Sequence, residues 1–172
     1  MLMEFIALTK PKIIILLLIT ALGGLFLATD GVPQLWLSLS VLLGGSLAAG
    51  GANSINNYLD RDIDVKMTRT RQRPVASGSV KPVFALSFGI LLNVVAFSVL
   101  WQFANLLSAI LAISATLFYV FVYTMGLKRT TPQNIVIGGA AGAIPPMVGW
   151  AAVTGNVLDP APLSLFAIIF FW

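Results

Sequence analysis

The sequence has no cysteine and no histidine among its 172 residues, and only 9% of them are charged. Without cysteine there is no disulfide framework, no thiolate metal site and no thiol chemistry. Without histidine the commonest general base and the commonest ligand for a metal or a haem iron are missing. Any acid–base or metal chemistry within this stretch must use carboxylate and amide oxygens. The scarcity of charge also excludes a water-soluble domain, in which about 25% of residues are charged. The apolar residues, 58% of the total, run continuously rather than in alternation, which argues against a transmembrane barrel. The remaining class is an all-α, polytopic transmembrane helical bundle.

The order of the segments supports this class. A short amphipathic lead over residues 1–12 ends in Thr9-Lys10-Pro11-Lys12. An apolar run from Ile13 to Thr29 is long enough to cross a bilayer. A basic start before an apolar run can be a signal peptide, but further spans follow at once and no cleavage site is evident. Asp30-Gly31-Val32-Pro33 is a turn, and a second span covers about 34–58. Residues 61–82 are the one long polar connection. Further spans follow at about 82–101, 105–124 and 132–153. The ten residues from Leu163 to Trp172 are too few to cross a hydrocarbon core that needs about 20. They read as the start of a sixth span, so the sequence reads as the N-terminal part of a longer, single membrane-embedded domain.

All ten Lys and Arg residues lie in the lead, in the connection between spans two and three, or in the one between spans four and five. With five complete spans these three segments share one side, and the other side carries only Asp30 and Asp159. The positive-inside rule makes the basic side cytoplasmic. The net charge of +4 is therefore a topology signal, and nucleic acid is not an expected partner.

Three of the six acidic residues fall in Asn53-Ser54-Ile55-Asn56-Asn57-Tyr58-Leu59-Asp60-Arg61-Asp62-Ile63-Asp64. Asn56, Asp60 and Asp64 recur every fourth residue. On a continuous helix this spacing drifts by roughly 40° and climbs ~6 Å per step, so the three side chains line one face. Asn53 and Asn57 fall within the same sector as supporting residues, and Asp62 points away. Polar residues at a helix end can simply be solvated at the membrane interface. Two carboxylates and several amides on one face ask for more, because charge near a bilayer is costly unless it pairs, faces a cavity or binds something. Carboxylates one turn apart repel, and a hard divalent cation relieves that repulsion. Mg²⁺ takes oxygen ligands and completes its shell with water and phosphate.

Lys66, Arg69, Arg71 and Arg73 follow within nine residues of Asp64. Alone such a run is a positive-inside loop. Directly after an acidic line it also reads as the anion half of a metal–diphosphate clamp, since Arg forks match phosphate oxygens. Lys128 and Arg129 lie on the same side and can join it. A diphosphate clamp beside lipid suits an isoprenoid diphosphate, with the departing diphosphate stabilised electrostatically. In the fifth span, the small residues from Gly138 to Ala143 read as a face for close helix contact. Pro145-Pro146 breaks the hydrogen-bond ladder in mid-span, either as a structural kink or beside a substrate cavity. Phe118, Tyr119, Phe121 and Tyr123 read mainly as packing or interface anchors.

Asn56-x3-Asp60-x3-Asp64 resembles the first aspartate-rich motif of the UbiA superfamily of intramembrane prenyltransferases. Thr9-Lys10-Pro11-Lys12, Asp64-x-Lys66-Met67-x-Arg69-Thr70, Arg73-Pro74, Tyr123-Thr124 and Leu127-Lys128-Arg129 narrow the resemblance to the protoheme IX farnesyltransferase branch. So do Asn134-Ile135-Val136-Ile137-Gly138-Gly139 and Pro145-Pro146-x2-Gly149-Trp150-Ala151-Ala152. The resemblance implies a fold of nine helices around a central cavity. It also implies transfer of a farnesyl group from farnesyl diphosphate to a vinyl group of haem b, giving haem O. Asn56, Asp60 and Asp64 would hold Mg²⁺ and the diphosphate, and Lys66, Arg69, Arg73 and Lys128 would contact phosphate oxygens. Expected partners are farnesyl diphosphate, haem b, the lipid bilayer and other membrane enzymes of haem biosynthesis. The expected location is the cell (inner) membrane. The family's second aspartate-rich motif has no counterpart in these residues, so they are not expected to form a complete catalyst alone. Two other readings stay open: a related prenyltransferase acting on a quinone or chlorophyll precursor, and a cation transporter or channel lined by the acidic residues. A purely structural subunit leaves the acidic line unexplained.

Overall fold

The computed structural model describes residues 2–29 and 31–171. Asp30, expected in a turn and on the acidic side, and Trp172, the last residue of the sixth run, lie outside the described residues. Among the described residues the regular structure is helical. A short lead, α1 (Leu2–Thr9), meets α2 (Pro11–Ala28) at a sharp corner. The next helix, α3 (Leu35–Leu59), is followed after one residue by a single turn, α4 (Arg61–Asp64). Beyond the polar connection lie α5 (Pro82–Phe103) and α6 (Leu106–Leu117). The latter widens without a break into a π-helical segment, Phe118–Leu127. The fifth span consists of α7 (Asn134–Ala143) and α8 (Pro145–Thr154), and α9 (Pro160–Phe171) follows. Among the described residues, five helical stretches are long and apolar enough to cross a membrane: Pro11–Ala28, Leu35–Leu59, Pro82–Phe103, Leu106–Leu127 and Asn134–Thr154. The fourth outruns its expected end at Thr124 because the π turns carry it on. The sixth run starts at Pro160 rather than Leu163.

Local chemistry explains the boundaries. Proline opens α2, α5 and α8, where its missing N–H leaves no bond unmade. The Asn105 Oδ1 accepts from the Ser108 amide at 2.9 Å and caps α6. Gly155, at φ 67°, ends α8 in the left-handed conformation that glycine tolerates. Within the spans, Ser40, Ser46 and Ser98 donate their hydroxyls to the carbonyl four residues back, which pairs these three hydroxyls inside their own helices.

Two close helix pairs carry the bundle. Helices α2 and α8 meet through Gly24 and Gly149. A Cβ on Gly24 would lie 2.0 Å from the Pro146 carbonyl oxygen, and one on Gly149 would lie 2.0 Å from that of Ala21. Helices α3 and α5 meet through Gly51 and Gly89, where a Cβ on Gly51 would lie 2.6 Å from the Gly89 oxygen. In lipid such contacts replace the hydrophobic drive that water would supply. Leu16, Ile19, Leu91, Val94 and Phe121 are exposed, as side chains facing hydrocarbon should be.

The three basic segments come together at one end. Leu8 of the lead packs with Val75 and Val80 of the polar connection and with Ala85 of α5. The connection is therefore folded down onto the bundle rather than looping free, with Thr70, Pro74, Val75 and Val80 buried.

Candidate functional site

The acidic line forms at this basic end, with one departure from the expected geometry. The helix does not run continuously from Asn56 to Asp64. It stops at Leu59, Asp60 takes φ −87° and ψ 0°, and α4 restarts at Arg61. The ladder still nearly continues, with the Asp60 amide donating to the Asn56 carbonyl at 2.9 Å and the Asp64 amide to that of Asp60 at 2.8 Å. Asn56, Asp60 and Asp64 thus stay in line, all buried, with Asp60 at 0% exposure.

Cations from three separate segments converge on them. The Lys10 ammonium donates to Asn56 Oδ1 at 3.1 Å. The Lys128 ammonium pairs with Asp60 Oδ2. One guanidinium nitrogen of Arg73 donates to both Asp64 oxygens, at 2.9 and 2.8 Å. Asn56 Nδ2 donates to Asp60 Oδ2 at 2.7 Å and to Thr124 Oγ1 at 3.3 Å. Three cations around two carboxylates leave the cluster net positive. Burial, together with the positive charges of Arg73 and Lys128, lowers the Lys10 pKa to about 8.

The supporting amides act on the backbone. Asn53 Nδ2 donates to the Thr9 carbonyl at 2.9 Å, and Asn57 Nδ2 donates to the Leu8 and Asn53 carbonyls at 3.3 and 2.9 Å. They tie the corner between α1 and α2 onto α3. Lys10 sits at that corner with φ 56°, a left-handed conformation that a lysine adopts at a cost of order 1–3 kcal/mol. The amides hold it where its ammonium reaches Asn56.

The donor set fits a hard cation. Asp60 Oδ1 is buried with no hydrogen-bond partner among the described residues, and an unsatisfied carboxylate oxygen is a donor atom of the kind a hard cation takes. No group of three or more His, Cys, Asp or Glu side chains that could hold a metal occurs among the described residues. Two carboxylates and an amide oxygen would therefore need water or phosphate to complete a shell, which is the habit of Mg²⁺.

Beneath the cluster lies an apolar cavity of about 360 Å³. Asn53 and Tyr119 line it nearest the cluster. The small residues Gly45, Ala48 and Ala49 of α3 and Gly139 and Gly142 of α7 form its walls. This corrects the expectation of a helix-packing face from Gly138 to Ala143. Gly138 does pack, with Tyr123 filling the space a Cβ would take, but Gly139 and Gly142 have nothing within 4 Å of that position. Pro145, at the break between α7 and α8, lines the same cavity. A larger groove of about 550 Å³ lies on the other face of α3, lined by Ile55, Leu59 and apolar residues of α5 and the π segment. Among the described residues, no charged side chain lines that groove.

Of the expected site residues, Asn56, Asp60, Asp64, Arg73 and Lys128 converge, and Asn53 and Asn57 support them. Lys66 and Arg69 are exposed and make no side-chain hydrogen bond among the described residues. Arg129 does not join the phosphate side: it binds Asp62 through two bonds of 2.9 and 2.8 Å. That pairing lowers the Asp62 pKa and raises that of Arg129. Sequence reasoning missed Lys10 as a site residue. Its signal was a lone pair of lysines flanking a proline at the mouth of the first span. It also missed Thr124 and the π winding, in which the Lys128 amide bonds five residues back to Tyr123 at 2.8 Å and Thr124 Oγ1 donates to Tyr119. π turns concentrate at functional sites. Here they carry Tyr119, which stacks on Tyr123 at 5.3 Å, as well as Thr124, and they end directly before Lys128.

The fold and site together define a multi-helix membrane bundle that sets a buried carboxylate–amide line among cations at one end, next to an apolar cavity. Residues 17–172 match the model of the UbiA prenyltransferase family, and the chain belongs to that family. It is 54% identical over 168 residues to protoheme IX farnesyltransferase 1 of Saccharopolyspora erythraea, covering 98% of this chain and 54% of that protein. It is 55% identical over 168 residues to the protoheme IX farnesyltransferase of Streptomyces coelicolor, covering 98% of this chain and 53% of the relative. A Roseiflexus protein of the same name is 54% identical over 172 residues, all of this chain and 32% of the relative. The chain thus spans between about a third and somewhat over half the length of these relatives. A UbiA homologue from Archaeoglobus fulgidus, solved with DMAPP and Mg²⁺, superposes with a TM-score of 0.78 at 20% identity, over 98% of this chain and 59% of that one. A digeranylgeranylglyceryl phosphate synthase superposes at 0.84 with 23% identity, over 98% and 58%. These two likenesses establish the fold.

Proposed function

We propose that this chain forms the diphosphate-binding part of a protoheme IX farnesyltransferase, which transfers farnesyl from farnesyl diphosphate to a vinyl group of haem b and yields haem O and diphosphate. The observation that carries this reading is the position of the buried Asn56–Asp60–Asp64 line, which faces three cations one helical turn from Asn53, a lining residue of the apolar cavity. Relatives more than half identical over the whole chain supply the haem acceptor and the farnesyl donor. Asn56, Asp60 and Asp64 would hold Mg²⁺, which when bound would neutralise charge on the departing diphosphate. Lys10, Arg73 and Lys128 would turn from the carboxylates to phosphate oxygens, and Lys66 and Arg69 would reach over from the exposed connection. The isoprenoid tail would lie in the cavity between Gly45 of α3 and Gly142 of α7. The electron pair of the breaking C–O bond leaves with the diphosphate, and the vinyl group attacks the allylic cation. Water then adds to the carbon left positive and gives up a proton. Dry apolar walls at Ala48, Ala49 and Gly139 keep water from the allylic carbon first.

The positive-inside rule supports a cytoplasmic cluster, with Lys10, Arg73 and Lys128 on that side of the cell membrane. The test uses membranes containing the protein, haem b, farnesyl diphosphate and Mg²⁺, with haem O read by mass. Haem O from wild type, lost in Asp60→Asn and Asp64→Asn, supports the whole reading. Haem O surviving in both variants rejects the role given to the acidic line. No haem O, but a prenylated quinone or chlorophyll precursor, moves the acceptor elsewhere. Cation flux without isoprenoid rejects transferase chemistry.

A further inference from the structure

We propose that Arg129 and Asp62 are positioning residues that fix the break at Asp60 and thereby set the spacing of the two metal-binding carboxylates; this rests on the reading of Asp60 and Asp64 given above. The break is the weak point of the site. Asp60 belongs to neither helix, and α4 is a single turn, too short to hold its own geometry. Arg129 reaches both sides of it. Its NH1 and NH2 groups bind Asp62 in α4, and NH2 also donates at 3.0 Å to the carbonyl of Leu59, the last residue of α3. One planar guanidinium therefore joins the end of one helix to the start of the next, a fork geometry that lysine cannot reproduce.

The same residue also links the break to the π segment. Arg129 directly follows Lys128, whose ammonium pairs with Asp60. Fixing Arg129 on α4 therefore fixes Lys128 over the carboxylate it serves. The clamp is exposed, with 42% and 55% of the two side chains open to solvent, and an exposed pair adds little to overall stability. Its value lies in geometry, since a constellation held loosely by about 1 Å loses much of its function.

The experiment compares Arg129→Ala, Arg129→Lys, Asp62→Asn and the double variant Asp62→Asn/Arg129→Ala in the whole protein. Mn²⁺ binding is measured by electron paramagnetic resonance in the presence of inorganic diphosphate, a readout that does not depend on turnover. Hydrogen exchange is followed at the amides of Ile63 and Asp64. The expected result is that both singles weaken Mn²⁺ binding by roughly threefold to tenfold. The double should be no worse than the worse single, Arg129→Lys should fail to restore binding, and exchange at Ile63 and Asp64 should rise while the unfolding midpoint stays put. Unchanged Mn²⁺ binding in the singles overturns the proposal, as does an additive double or faster exchange without weaker binding. Wild type that binds Mn²⁺ but makes no haem O would reject the proposed acceptor and leave the clamp to be judged on these readouts alone.

Discussion

Two helices in this bundle are interrupted, and they are held across the interruption by opposite means. At Asp60 the gap between α3 and α4 is spanned by charge: Arg129 on Asp62 and Leu59, Lys128 on Asp60 and Arg73 on Asp64. At Ile144 the gap between α7 and α8 is held by backbone proximity, with Gly24 of α2 against Pro146 and Gly149 of α8 against Ala21. The first joint has no proline and no glycine at its centre; the second has two prolines and relies on glycine. Charge holds the first joint through ion pairs, which can be traded one for another, as the proposed diphosphate site requires. Direct backbone contact holds a joint that must not move, because nothing can be removed from it.

Substitutions that conserve size should separate the two joints. The largest effect is expected from Asp60→Asn and Asp64→Asn, each lowering haem O formation by at least about a hundredfold. Retained folding would show as an unchanged elution profile in detergent. At the other joint, Gly149→Ala or Gly24→Ala should cost about 1–3 kcal/mol through overpacking against a carbonyl, read as a lower melting temperature, with turnover per folded molecule little changed. If Gly149→Ala reduced turnover without altering melting, the two joints would not be distinct. Lys10→Met keeps the stem and removes the charge, and should raise the KM for farnesyl diphosphate by roughly tenfold, one charge-assisted contact's worth. The smallest effect is expected from Gly139→Ala, which meets open space: melting should stay within about 0.5 kcal/mol of wild type.

The chemistry-bearing end was legible because it is periodic. Asn56, Asp60 and Asp64 recur at the helical repeat, and the placement of ten basic residues agreed with the span count read from the apolar runs. What escaped was contact between distant segments. Nothing local marks Lys10 as a partner of Asn56, since the two stand 46 positions apart. Arg129 is indistinguishable in sequence from Lys128 beside it, yet one residue's rotation sends them to different carboxylates. The π winding of Phe118–Leu127 leaves no composition signal, because its bonds differ from α bonds only in where each carbonyl finds its amide. The Gly138–Ala143 run misled for a related reason. Small residues permit either a helix or empty space opposite, and only the neighbouring elements decide which.

The left-handed lysine carries an evolutionary consequence. Position 10 makes two demands that no single amino acid meets well: a backbone at φ 56° that glycine would adopt freely, and an ammonium group that glycine lacks. Lys10→Gly should therefore make the corner more comfortable and the binding site poorer at once. Selection for robustness alone would favour glycine here and erase the ammonium that reaches Asn56 on the way, so backbone ease and the charge of the cluster pull in opposite directions at this one residue.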